Sequence, residues 1–402
     1  MNILVLAPFF PYPLDQGGKI RVFNLVKSLA SHHDVTLACL SSQESPESEL
    51  VAKFCKEVVV VGKPENFAKN FLRFLVSGNP FNCERFRSAP FSERLQQLIA
   101  ANRFDLVQIE FSMLWQYAHL FKGIPVVLDA HNIEHHNVRQ IGKSSSNPVK
   151  RWLYRLEEER LKNVEERAWR ECAICFTVSD KERREIAERT GNQAKVITAA
   201  NGVDLERFAL SHREDGGKRI LFLGGMDYAP NLDAAQFFLE EIFPKIQLEE
   251  PESKLLLVGR ELARLGNILP MRGVECHESV TDVLPYFYQV DLLAVPLRMG
   301  AGTRIKVLEA MAAGLPVVTT SKGCEGIAVQ HGRELLVANS REDFAAACLK
   351  LLKHPEQGRE LAQQARRLVE ERYAWEITAR MMDQAYRGFL APRVLRAPSP
   401  AL

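Results

Sequence analysis

Residues 295–318 read VPLRMGAGTRIKVLEAMAAGLPVV, which places two cations and a carboxylate just after a glycine-containing loop. Arg304 and Lys306 follow Gly300-Ala301-Gly302-Thr303, and Glu309 comes three residues after Lys306. The apolar residues ending at Val295 read as a strand, and 303–313, stopped by Gly314, reads as a helix. A glycine loop at a helix start exposes backbone N–H groups, the usual arrangement for holding a phosphate. Cations in a first helical turn oppose the dipole, so they point to an anion that they neutralise. Glu309 falls on the same face as Lys306, about one turn deeper. A carboxylate there can accept hydrogen bonds from a vicinal diol, such as a ribose beside a diphosphate. The competing reading is a Lys306–Glu309 surface pair on an ordinary helix.

A second stretch, LDAHNIEHHNVRQ at 128–140, contains His131-Asn-Ile-Glu134-His135 and so fits the zinc-peptidase pattern H-x-x-E-H. That chemistry needs both histidines one turn apart on a stable helix, with a further ligand downstream. Here the segment directly follows an apolar run at 125–128, which places it in a strand-to-loop turn. A zinc site is therefore not expected, and His135 and His136 are read as loop residues or acceptor-side contacts. Cys172-Ala-Ile-Cys175 has no second cysteine pair to complete a zinc site and reads as core thiols.

The elements that must position these groups alternate along the chain. Short apolar runs at 2–6, 35–40, 58–61, 106–109, 126–128, 174–178 and 196–198 are separated by helix-period segments. After a polar, Gly-rich stretch at 199–217 the pattern restarts, with runs at 219–223, 254–258, 274–277, 291–295, 316–319 and 335–337. Near-continuous Val, Ile and Leu strands separated by helices predict parallel sheets covered on both faces. The expected class is α/β, with two facing Rossmann-like doubly wound domains. An N-terminal unit over 1–198 and a linker over 199–217 precede a C-terminal unit over 218–375; a helix at 376–390 returns to the N-terminal unit, and 391–402 forms a flexible tail. Ligands of such sheets lie at the carboxyl ends of the strands, so the chemistry is expected in the cleft between the units.

With 402 residues the chain is long enough for two cores, and a net charge of +2 gives no reason to expect a nucleic-acid partner. The first residues show no basic leader or cleavage site, and no stretch is apolar enough to span a bilayer, so a cytoplasmic protein is expected. Residues 148–170 open with Lys150, Arg151, Trp152, Tyr154 and Arg155, which could rest on the anionic inner face of the plasma membrane. A solvated helix with internal Glu–Arg pairs is the favoured reading of that segment.

Glu309-Ala-Met-Ala-Ala-Gly-Leu-Pro-Val-Val resembles the corresponding helix of the retaining glycosyltransferases of family 4 (glycosyl transferases group 1), whose two-domain fold is called GT-B. The spelling P-L-R-x-G-A-G-T-R-I-K-V-L-E-A-M-A is similar to sugar transferases of bacterial exopolysaccharide clusters. The resemblance implies a nucleotide diphosphate sugar donor on the C-terminal unit, with a glycan or lipid-linked glycan acceptor on the N-terminal one. The implied reaction is transfer to a hydroxyl with retention of configuration, without cofactor. It assigns a catalytic role to His131, within Asp129-Ala-His131, near the donor sugar; the Arg and Lys that the family usually carries around the first C-domain loop are missing from Leu223-Gly-Gly-Met-Asp-Tyr-Ala-Pro-Asn231, so phosphate neutralisation is expected from Arg304 and Lys306 instead. It gives donor contacts to Gly17, Gly18, Gly225, Asn231, Val274, Gly300, Ala301, Gly302, Thr303 and Glu309. The family's usual motif has a first glutamate where this chain has Ala301, so backbone N–H groups of the loop are expected to take over that contact. No D-x-D, the metal-chelating motif of the other major glycosyltransferase fold, is present. Metal independence is the resulting expectation. The alternatives are epimerisation of a nucleotide sugar on the same fold and a non-catalytic nucleotide-sugar binding protein.

Overall fold

The computed structural model describes residues 1–41, 48–63, 66–210, 217–269, 271–300 and 302–391. Ala301 and the segment 392–402 lie outside the described residues.

Seven strands form the N-terminal sheet: β1 Asn2–Ala7, β2 Asp34–Ser41, β3 Glu57–Gly62, β4 Leu106–Glu110, β5 Val126–Ala130, β6 Cys175–Thr177 and β7 Val196–Thr198. Their order is β3-β2-β1-β4-β5-β6-β7, parallel throughout. Six more form the second sheet: β8 Arg219–Leu223, β9 Lys254–Gly259, β10 Val274–Glu278, β11 Leu292–Val295, β12 Val317–Thr319 and β13 Leu336–Val337. Their order is β10-β9-β8-β11-β12-β13, again parallel. The central strands β1, β4, β8 and β11 are buried on both faces, which is why they read as unbroken apolar runs rather than alternating ones. In each sheet the order reverses between its two central strands, leaving a crevice at their carboxyl ends.

The helix Trp375–Leu390 lies on the N-terminal side, where Trp375, Ala379, Met382 and Tyr386 share a core with β1, β2 and the helix Gly17–Ala30. The chain therefore crosses between domains twice, and the crossings touch. Val203 N donates to Tyr373 O at 2.7 Å, and Val203 pairs with Ala374. Thr378 Oγ1 donates to Ala200 O at 3.0 Å. A Cβ on Gly202 would lie 2.7 Å from Trp375 Cδ2 and 2.9 Å from the Trp375 backbone nitrogen, so only glycine fits against that ring.

The helix expected at 303–313 begins two residues later, as Ile305–Ala312, with Arg304 in an extended cap conformation. The positive φ of Gly300 (103°) and Gly302 (80°) turns the chain sharply before the first helical turn, a conformation that strains any residue with a Cβ. His135 and His136 lie on the helix Glu134–Ser144, not in a loop.

Candidate active site in the interdomain cleft

Lys306 and Glu309 both sit inside the C-terminal domain wall. Lys306 Nζ donates to Leu223 O at 2.6 Å and to Asn231 Oδ1 at 3.3 Å, at the carboxyl end of β8. Asn231 Nδ2 in turn donates to Gly225 O at 3.0 Å, so the Gly224-Gly225 turn, Asn231 and Lys306 form one unit. Burial, with Arg304 nearby, lowers the Lys306 ammonium to about 7, against a partial opposing pull from Glu309. Glu309 is 7% exposed and has no hydrogen-bond or ion-pair partner among the described residues. Burial pushes its carboxyl up to about 7, although Arg207 and Lys306 pull the other way. Arg207 is itself paired with Asp282 at 2.7 Å. The surface-pair reading of Lys306 and Glu309 is thus corrected: the helix is buried along most of its length, and both groups titrate near neutrality.

Arg304 is half-buried, and its Nη1 donates back to Gly302 O at 2.6 Å, which braces the loop from within. The loop faces the N-terminal domain. Gly300 N donates to Gln140 Oε1 at 3.2 Å, and Thr303 Oγ1 to Val178 O at 3.5 Å. A Cβ on Gly302 would meet Asn132 Oδ1 at 2.3 Å, so any larger residue here must push that side chain aside as well as adopt the strained φ of 80°. From the other side, a Cβ on Gly17 would lie 3.6 Å from Ile305 Cδ1, and one on Gly18 would press on Phe111 and Phe9.

His131 follows β5 and stacks on Phe111, with ring centroids 3.7 Å apart and planes 22° from parallel. Its Nε2 lies 2.6 Å from Glu110 Oε2. Glu110 is fully buried; burial and the neighbouring Asp129 raise its carboxyl, while its bond to His131 opposes that rise. Asp129 takes both Arg21 Nε and Nη2, at 2.9 and 2.8 Å, and Arg21 Nη1 reaches Asn201 Oδ1 of the linker at 3.0 Å. Tyr386 donates to Gln108 Oε1 behind the same cluster. Phe111 has φ 67° and ψ 138°, a region nearly reserved for glycine, and strain of this kind concentrates at functional sites. Sequence reasoning passed over Glu110 and Phe111; the available signal was their position just where β4 ends, on the ligand edge of the sheet.

One expected donor residue is not at the cleft. Val274 opens β10 opposite Leu255, at the amino end of the sheet, whereas Glu278 is at the carboxyl end, four residues or roughly 13 Å further on. A β-strand exposes only one end to the crevice, so 278–280 and not Val274 adjoins it.

The two walls are drawn together. Arg260 Nη1 donates to Asp15 O at 2.9 Å, and Lys181 Nζ lies 2.7 Å from Glu325 Oε1. A cavity of about 70 Å³ remains, lined by His136, Glu185, Lys181, Gly302, Thr303 and Lys322 among others. That is well below the several hundred Å³ of a typical small-molecule site. A larger hollow of about 480 Å³, lined by Met1, His33 and Asp105 among others, lies at the amino edge of the N-terminal sheet and is not part of this cleft.

The H-x-x-E-H spelling does not fold into a peptidase site: His131 goes to Glu110, and His135 Nδ1 goes to Glu165 Oε2 at 2.6 Å. Cys172 and Cys175 are both buried. The chain matches two family models, Glycosyltransferase Family 4 over residues 16–207 and Glycosyl transferases group 1 over residues 217–354. An uncharacterized 44.6 kDa protein in the cps region of Klebsiella pneumoniae is 23% identical over 396 residues, 92% of this chain and 96% of that protein. Among solved structures, the sucrose-phosphate synthase of Thermosynechococcus elongatus superposes with TM-score 0.70 at 16% identity, covering 97% of this chain and 99% of that one. Anabaena HepE, solved with UDP and glucose, gives TM-score 0.66 at 15% identity, covering 96% of this chain and 100% of that one.

Proposed function

From the premise that the chain belongs to the family 4, group 1 glycosyltransferases of GT-B fold, we propose that it transfers a sugar from a nucleotide diphosphate donor to a hydroxyl of a glycan or lipid-linked glycan, with retention of configuration. The observation that carries this reading is Glu309, a buried carboxylate without a side-chain partner among the described residues, beside Lys306 and the glycine loop that precedes it. A buried charge left unpaired is costly, and a diol bridging to a diphosphate relieves both groups at once. Lys306 and the backbone N–H groups at the start of Ile305–Ala312 stabilise the departing diphosphate, an electrostatic contribution of a few kcal/mol per well-placed group. No divalent ion is needed to hold that charge. His131, fixed by Glu110 and Phe111, faces the sugar from the opposite wall. The ligand named for HepE and the cps-region location named for the Klebsiella relative support a nucleotide-sugar donor and a role in polysaccharide assembly.

The decisive experiment incubates purified protein with UDP-, GDP- and ADP-sugars, with and without acceptor glycans, and reads product anomers by NMR. Turnover of one donor to a product of the same anomeric configuration is expected without added Mg²⁺ or Mn²⁺. Donor binding without turnover would favour a binding protein, and an epimerised nucleotide sugar would favour an epimerase.

A lipid-linked acceptor also has a surface to approach. Among the described residues no helix is long and apolar enough to cross a membrane. The helix Phe67–Ser77, however, exposes Phe67, Leu72, Leu75 and Val76. It is held against Pro148–Glu171 by Arg160, which donates to Phe74 O, and that helix exposes Val149 and Trp152 beside Lys150 and Arg151. Apolar side chains ringed by cations suit an anionic bilayer surface. Wild-type protein is expected to sediment with anionic vesicles and Leu72→Glu/Val76→Glu to stay in solution; wild-type protein left in the supernatant would count against membrane contact.

A further inference from the structure

Behind the N-terminal wall of the cleft, two helices bring two histidines and a glutamate together. His135 and His136 lie in the first turn of Glu134–Ser144, and Glu185 belongs to Asp180–Thr190. One donor atom from each lies within 4.8 Å of the other two. The histidine rings stand edge to face with centroids 4.5 Å apart, and His136 Nε2 is 3.2 Å from Glu185 Oε1. His135 is wholly buried; Glu165 holds its Nδ1, and its Nε2 has no hydrogen-bond partner among the described residues. A carboxylate on one imidazole nitrogen is the arrangement that fixes the tautomer and orients the other nitrogen toward a metal. A buried ring nitrogen with no partner at all is otherwise unfavourable.

We propose that His135, His136 and Glu185 form a site for one transition-metal ion of the Zn²⁺ type, separate from the diphosphate site. Two imidazoles and a carboxylate leave a fourth position open. Because His136 and Glu185 line the cavity beside Gly302 and Thr303, that position opens into the cleft, toward water or an oxygen of a molecule bound there. Ligation requires the donor atoms to draw in to roughly 3.4 Å from one another, the spacing set by tetrahedral bonds of about 2.0–2.1 Å. Arg189 Nη2, 2.9 Å from Glu185 Oε1, must give way, and its Nη1 already has Glu166 Oε1 at 2.9 Å as a second partner. The bound ion would tie Glu134–Ser144 to Asp180–Thr190 and so fix the wall that carries Asn132 against Gly302. A second trio, Glu110, Asp129 and His131, is not a competitor, because Arg21 already occupies Asp129 through two hydrogen bonds. The reading that dismissed zinc rested on the spacing of His131 and His135; the consecutive pair His135-His136, facing a glutamate on another helix, is not in that pattern.

The test is calorimetric titration of metal-stripped full-length protein with Zn²⁺ against a competing chelator. Wild type is expected to bind one equivalent, and His136→Ala and Glu185→Gln, both partly exposed positions, to bind at least tenfold more weakly with unchanged unfolding midpoints in the absence of metal. Zn²⁺ should raise the midpoint of wild type and not of His136→Ala. Equal affinity in either variant, absence of binding by wild type, or loss of binding in His131→Ala instead would overturn the assignment. None of these readouts depends on transferase activity, so the proposal stands or falls apart from it.

Discussion

Replacing Glu309 by alanine is expected to lower kcat/KM for sugar transfer at least tenfold without lowering the unfolding midpoint at pH 7. The carboxylate is buried, and without a ligand it has no partner among the described residues. Its removal therefore takes away no hydrogen bond from the folded protein, and it spares the chain the burial of an acid whose carboxyl stands near 7 rather than 4.5. A charge-assisted hydrogen bond to a diol contributes about 1.5–3 kcal/mol, which is at least tenfold in rate or affinity. If the bond is formed equally in ground and transition states, KM rises and kcat holds; if it tightens as the diphosphate departs, kcat falls. Steady-state kinetics beside thermal unfolding distinguishes this from misfolding, and wild-type kcat/KM in the variant would remove Glu309 from the site.

Substituting Lys306 by methionine is expected to change the pH profile as well as the rate. The proposed donor recognition needs Glu309 ionised and Lys306 protonated, and burial brings both to about 7. Wild-type kcat/KM should therefore rise to a narrow maximum near neutrality and fall on both sides, with apparent values belonging to the pair. Lys306→Met should abolish the fall above neutrality and lower the maximum at least tenfold; a wild-type profile in this variant would show that Lys306 does not touch the diphosphate. Stability moves the other way. Lys306 is depressed from 10.5 to about 7, so its contribution is fully present above 10.5 and lost as pH falls through 7. Glu309 is raised from 4.5 to about 7, so its contribution is present below 4.5 and lost as pH rises through 7. The two penalties meet at neutrality, where a bound diphosphate and diol would relieve them. At pH 6 the methionine variant should melt higher than wild type, by roughly 2–4 °C for each kcal/mol recovered.

The doubly wound architecture was legible because strands buried on both faces cannot alternate, and β1, β4, β8 and β11 do not. The loop at 300–303 and the Lys306–Glu309 spacing were legible because glycines and charges beside a helix start have few other uses. Depth was not. Nothing in the sequence distinguishes a Lys306–Glu309 pair on the surface from one sunk in the wall, since burial there is set by packing against β8 and β11. Val274 was misplaced because an apolar run does not disclose which of its ends meets the ligand. Glu110 escaped notice because a carboxylate closing an apolar strand looks like an exposed terminus, whereas here the terminus points into the crevice and is sealed by Phe111 and His131.

The two chain crossings between the domains run side by side, joined at Val203 and Ala374, with Trp375 wedged on Gly202. Paired in this way, they form one axle rather than two tethers, a connection that would confine any relative motion of the domains to a swing about a single line. Every contact across the cleft then follows one angular coordinate. An opening that lifts Gly300 from Gln140 would also pull Lys181 from Glu325, because both pairs span the same cleft.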